Sequence, residues 1–188
     1  MTEVLYPIFS SIPLIVGGVF ILAAILDFLY YRLPNKLFYV IFYLFPLYII
    51  LSFKFHLMSN YLVFVGSILI GFALFSAAII GGGDAKLLAA VSLWIGWNDI
   101  VPFTLWMLIF GGVISCFYLI FPKAIFYITG QIRGFVQRQT FLKKGIRYFV
   151  SDVDVIEGEV LSLQQKRMIP YGISIAGAGL IILLKGML

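Results

Sequence analysis

A single cysteine and a single histidine leave this chain few routes to chemistry. Cys116 sits inside the apolar run FGGVISCFYLIF, so no disulfide framework and no paired-thiolate metal site can be built from it. It reads as a small hydrophobe in a helix. Charge is scarce as well: 11% of the 188 residues, against about 25% in an average soluble domain. What the chain has instead is oil. Hydrophobic residues make up 63% of it and the mean hydropathy is +1.11. That composition describes a membrane protein, with room for one compact membrane domain over residues 1–188. The formal charge of +5 does not point to nucleic acid, because the basic residues lie between oily segments and act as topology signals. The opening MTEVLYP carries an acid and no base, so it leads into a retained span rather than a signal peptide.

A bilayer core of about 30 Å takes roughly 20 apolar residues in a helix. Six segments qualify: Ile8 to Leu26, Leu37 to Phe53 with Pro46 as a kink, Tyr61 to Ile80, the short Leu87 to Trp97, Pro102 to Phe121, and Ile169 to Leu184. The expectation is an all-α, polytopic transmembrane helix bundle of about six spans. Basic residues test the count. Arg32 and Lys36 fall in the first connection, Lys86 in the third and eight more in the fifth, so 11 of 13 gather on one side. Only Lys54 and Lys185 fall on the other. Cytoplasmic connections collect Lys and Arg, which puts both termini outside the cytoplasm. Omitting the short fourth segment would destroy the asymmetry.

The connection over 122–168 is the only long polar stretch. Its first part, KAIFYITGQIRGFVQRQTFLKKGIRYF, has six bases, no acid and interleaved apolar residues. It reads as a basic helix lying at the cytoplasmic headgroup level against membrane lipids, with docking of a cytoplasmic partner as the alternative. The acidic SDVDVIEGEVLSL that follows lacks calcium-loop spacing and reads as a solvated loop.

Only two of the eight acids, Asp27 and Asp84, sit where an oily span meets the cytoplasmic side. Between them the chain crosses the membrane twice and so returns to the face it left. Parity alone therefore brings both carboxylates to similar depth. Each has a structural reading, Asp27 as a helix end and Asp84 as the N-cap of the fourth segment behind stopping glycines. Ionisable groups at membrane depth are costly, however, and tend to mark functional sites. Two adjacent carboxylates suit aspartic hydrolysis: one takes a proton from water, the other donates to the carbonyl, and no metal or organic cofactor is needed. Other chemistries fit poorly. His56 lies on the opposite side for any Ser-His or Cys-His site, no zinc-ligand cluster exists, and GGGDAK lacks the ending of a phosphate loop.

Three stretches carry a resemblance: LDFLYYRLPNKL around Asp27, GGGDAKLLAAVSLWIG from Gly81, and IPYGISIAGAG from Ile169. Together they resemble the type IV prepilin peptidases, and within them the short form that serves Flp/Tad-type pili. The resemblance implies a polytopic aspartic endopeptidase of the plasma (inner) membrane, removing the basic leader from prepilins and pseudopilins at the cytoplasmic face. The aspartate before the Pro-Asn element, Pro34 and Asn35, and the one ending Gly-x-Gly-Asp would be catalytic; these are Asp27 and Asp84. Gly81 and Gly83 would shape the loop, Lys86 would follow the motif or anchor at the interface, and Pro170, Tyr171 and Gly172 would break or shape the last span. Longer relatives carry paired cysteines and methylate the new N-terminus. With one cysteine, this chain is expected to work without methyl transfer, S-adenosylmethionine or zinc. Implied partners are prepilins, lipid and pilus-assembly components. The alternatives are a presenilin or signal-peptide-peptidase type of intramembrane protease, and a non-catalytic transporter or secretion scaffold with its acids lining a cation path.

Overall fold

The computed structural model describes residues 2–52, 55–138 and 169–186. Among these residues there is no strand, as expected where apolar backbone must satisfy its own hydrogen bonds within each segment. Helix α1 spans Thr2–Tyr30 and α2 spans Asn35–Ser52, with Pro46 inside the helix. A 3-10 turn over Phe55–Ser59 leads into α3, Asn60–Ser76. Helix α4 covers Gly82–Ile120, α5 covers Pro122–Arg138 and α6 covers Tyr171–Lys185. Four of the helices, α1 to α4, are long and apolar enough to cross a membrane. The polytopic helical bundle is therefore confirmed.

Helix α4 needs explanation, since its 39 residues would extend about 58 Å at ~1.5 Å per residue, nearly twice a bilayer core. It does not run straight. Gly96 leaves helical geometry at φ 72 and ψ −172, a conformation open to glycine and strained for other residues. The two arms then pack along α6 in opposite directions. In the first arm Val91 meets Gly179, downstream of the α6 start that faces Asp84. In the second, Asp99 pairs with Lys185 at 4.0 Å while Gly111 meets Ser174. The helix is thus a hairpin folded at one residue, and the described residues run along the bundle six times, through α1, α2, α3, the two arms of α4, and α6.

Asn60 supports the fold-back. Its Nδ2 donates to the Leu93 carbonyl at 3.1 Å, and its amide lies 2.5–2.7 Å from where a Gly96 Cβ would stand. Trp94 Nε1 donates to the Ile41 carbonyl at 2.9 Å, tying α2 to the same corner. Gly96→Ala combines a left-handed backbone with displacement of a buried amide. It should cost about 3 kcal/mol, read as a lower melting temperature in detergent. An unchanged melting temperature would mean that the reversal does not depend on this residue.

Several boundaries differ from the sequence expectation, among them the first span, which runs over Thr2–Tyr30 rather than Ile8 to Leu26 and so keeps Asp27 inside its last turn. The third span stops at Ser76 rather than Ile80, and Ala78 turns the chain at φ 55 before the glycines. The fourth helix begins at Gly82 rather than Leu87, because hydropathy discounts Asp84 and Lys86 although Asp84 fits a first helical turn. The basic connection begins as helix α5, whose Ile125 and Ile132 face α1 and the second arm of α4. The rest of that expectation, residues 139–168, lies outside the described residues, as does the acidic stretch within it.

The core is built where α1, α6 and the first arm of α4 meet, around Val16, Phe20, Val91 and Ala178. Gly179 makes this closeness possible. A Cβ there would stand 2.6 Å from Val91 and 3.1 Å from Phe20. Small residues at helix contacts do in lipid what apolar burial does in water, since tails and side chains are equally oily. The tight contact fixes the depth of α6, and with it the position of its first turn.

Candidate active site

Three helix ends converge at one end of the bundle. Asp27 lies in the last turn of α1, where Tyr31 N–H closes on its carbonyl at 2.9 Å. An anion at a helix C-terminus is opposed by the helix dipole, so capping α1 does not explain it. Asp27 is nonetheless 4% exposed. Asp84 lies in the first turn of α4, whose N-cap is Gly81. The expectation that Asp84 itself caps the helix is corrected: it sits three residues inside and reaches back to the Gly81 amide. The acidic member of a capping box makes the same contact.

What fixes the pair is the start of α6. Pro170 occupies its N-cap position with no side-chain cap, leaving the first amides of the helix without intrahelical partners. Those donors go to the acids. Asp27 accepts from the backbone amides of Gly172 and Ile173, and Asp84 accepts from that of Gly172 as well. One amide is thus shared by both carboxylates, which are near enough for each charge to act on the other. The positive end of the α6 dipole points at the same place. Asp27 Oδ2 is buried and has no hydrogen-bond partner among the described residues.

The acids open onto a cavity of about 520 Å³ between the glycine triplet, Gly81 to Gly83, and the connection from Tyr31 to Lys36. Leu33 presses this connection down on the site. Its Cβ lies 3.1 Å from where a Gly83 Cβ would be, and its Cδ1 lies 2.9 Å from that of Gly172. Lys86 donates to Asn35 Oδ1 at 2.8 Å, joining the first turn of α4 to the first turn of α2. Every motif residue singled out in the sequence therefore lies at this end: Asp27, Pro34, Asn35, Gly81, Gly83, Asp84 and Lys86 around the cavity, and Pro170, Tyr171 and Gly172 at the start of α6. The assignment of Gly172 changes most. It lies in the first turn of the last helix rather than breaking a span that begins at Ile169.

A scan against protein-family models matches residues 14–116, more than half of the chain, to the type IV leader peptidase family. The chain belongs to that family. It is accordingly a peptidase of the leader-peptidase type, which removes the support for a transporter or scaffold. No curated protein and no solved structure matches it. The family match takes in both acids of this leader peptidase and the hairpin of α4, and it ends before α6.

Sequence reasoning missed Tyr31, its partner Tyr118 and Ile173. Tyr31 takes a left-handed conformation at φ 52, lines the cavity, and donates to the Tyr118 hydroxyl at 3.3 Å. Ile173 acts through its backbone. Only the Pro-Tyr-Gly start of α6 carried a signal, since proline before an apolar helix marks an end with free amides.

Proposed function

We propose that Asp27 and Asp84 form the catalytic pair of an aspartic endopeptidase that removes the basic leader from Flp/Tad-type prepilins at the cytoplasmic face of the inner membrane. The observation that carries this reading is the shared Gly172 amide, which gathers two carboxylates from different helices into one cavity. Close carboxylates hold one proton between them. The ionised member takes a proton from water as its oxygen bonds to the peptide carbonyl carbon. The protonated member gives its proton to the carbonyl oxygen, forming a neutral diol. The diol collapses by breaking the C–N bond, and the acid that took the water proton gives it to the leaving nitrogen. The other carboxylate takes a hydroxyl proton as the carbonyl re-forms, so the pair again holds one proton. Asp27 Oδ2, without a donor among the described residues, is available to exchange protons in this cycle.

Orientation follows from charge. Arg32, Lys36 and Lys86 lie at the site's end of the bundle and Lys185 at the other, which suits a cytoplasmic site. The basic leader is retained on that side by the same rule, while the apolar segment behind it enters the bilayer. The scissile bond then lies at the depth of the acids. Helix α5 begins at this end, and its exposed Lys123 in the first turn and Arg138 in the last suit headgroup contact along the helix and leave a face for assembly components.

Membranes containing the wild-type protein and a Flp-type prepilin should yield a faster-migrating product whose new N-terminus lies at the junction of leader and apolar segment. Persistence of the precursor with protein present at normal level, across several such prepilins, would reject the substrate class.

A further inference from the structure

Two apolar grooves flank the cavity on the outer surface of the bundle. The larger, about 600 Å³, lies between α1, the second arm of α4, and α5. It shares no lining residue with the cavity, and the Tyr31–Tyr118 hydrogen bond stands between them. The other, about 410 Å³, lies between α2 and α3 with the first arm of α4 as its floor. Here the two spaces join: Asn35 and Gly82 line both. Resting on the proposed leader-peptidase activity, we propose that this α2–α3 groove seats the apolar helix of the substrate, delivering the residues ahead of it past Asn35 to Asp27 and Asp84.

The shape of the groove suits a helix. Its floor carries Gly82, Ala85 and Ala89, which share one face of α4 at helical spacing. Its walls are aromatic or branched: Phe38 and Tyr39 from α2, and Ile68, Phe72 and Phe75 from α3. Within lipid, removing an apolar side chain from its surroundings gains nothing, so helices associate by close packing. Small residues below and bulky ones beside give an incoming backbone that closeness. Phe72 is 66% exposed and Tyr39 52%, so both are open to a partner rather than committed to the core.

Chemistry changes at the mouth of the groove, where a helix must end. Lysine has only donors, so Lys86 fixes the Asn35 oxygen as acceptor and leaves the Asn35 amide hydrogens for another partner. A peptide leaving helical form has unpaired carbonyls to offer them. Groove, amide and acids thus follow one another in the order apolar helix, unwound backbone, scissile bond.

The test uses the full-length protein in membranes and a substrate made of a basic leader and about 20 apolar residues. A photo-crosslinking residue at Ile68 or Phe72 should capture the apolar segment, while one at Ile114 or Phe117, in the larger groove, should not. Phe72→Ala should raise KM for this substrate about fivefold with kcat nearly unchanged, and the penalty should vanish for a peptide ending just beyond the cut. Ile114→Ala should match wild type on both. Asn35→Ala should lower kcat/KM on both substrates alike. Capture of the segment in the larger groove, capture of lipid alone at Ile68, or an equal Phe72→Ala penalty on both substrates would overturn the docking site. Cleavage by wild type without these crosslinks rejects the groove alone, whereas crosslinks without cleavage reject the proposed activity and keep the groove.

Discussion

Replacing either Asp27 or Asp84 by Asn should lower leader cleavage by about a thousandfold, within the range that proton transfer by a positioned side chain contributes. Asparagine keeps the size of the side chain and keeps an oxygen to accept from the Gly172 amide, so the convergence of α1, α4 and α6 should survive. What is lost is the capacity to take a proton from water and to give one to the carbonyl oxygen. Because the pair acts as a unit, the double variant should be little worse than either single one. Membrane levels and melting temperatures, measured beside cleavage, separate loss of chemistry from loss of fold. Normal cleavage in one single variant would reduce that aspartate to a structural group, and Asp84 would then serve only to hold the Gly81 amide.

Gly172→Ala should have the next largest effect, about a hundredfold on kcat, the scale of a displacement near 1 Å at a reacting group. A Cβ at this position would stand 2.7 Å from Asp27 Oδ2 and 2.9 Å from Leu33 Cδ1. Both are side-chain tips, so the least costly relief rotates the carboxylate and the leucine rather than moving α6. The variant should therefore fold and insert nearly as wild type does, with its acids out of register. A fall in melting temperature as large as that of Gly96→Ala would show that the helix has moved instead, and full activity would show that Asp27 has room to adjust. Gly96 itself is the contrasting case: its neighbour is the buried Asn60 amide and its φ is 72, so substitution there acts on the fold.

Much of this was legible in the sequence, for reasons that can be located. Spans are read from hydropathy because lipid admits only helices that satisfy themselves, and counting crossings brought Asp27 and Asp84 to one end without any knowledge of packing. Three features were not legible. Gly96 lies in LWIGWND, where an isolated glycine in an oily run usually remains helical; its role depends on Asn60, 36 positions earlier. The extent of the fourth helix was hidden because apolar averaging penalises a start that contains Asp84 and then Lys86, although an anion such as Asp84 favours that end of a helix. Gly172 looked like a place where a span bends, since nothing local says that its amide serves two carboxylates from elsewhere in the chain. The common element is distance in sequence: segment properties are local, whereas hydrogen-bond partners are not.

The lengths of two helices carry a consequence for the surrounding lipid. From Gly82 to the turn at Gly96 the first arm of α4 rises about 21 Å, and the 15 residues of α6 rise about 22 Å, both well short of a bilayer core near 30 Å. Their far ends are marked by Asp99 and Lys185, exposed charges that belong at the headgroups. Measured from there, the acids lie about 8 Å below the opposite edge of the hydrocarbon. Such a mismatch is relieved by local thinning of the membrane, which draws the headgroup layer and its water down into the cavity. The depth of the acids, and hence their supply of water, is then set partly by the lipid: longer acyl chains sink them further, and shorter ones bring the surface to them.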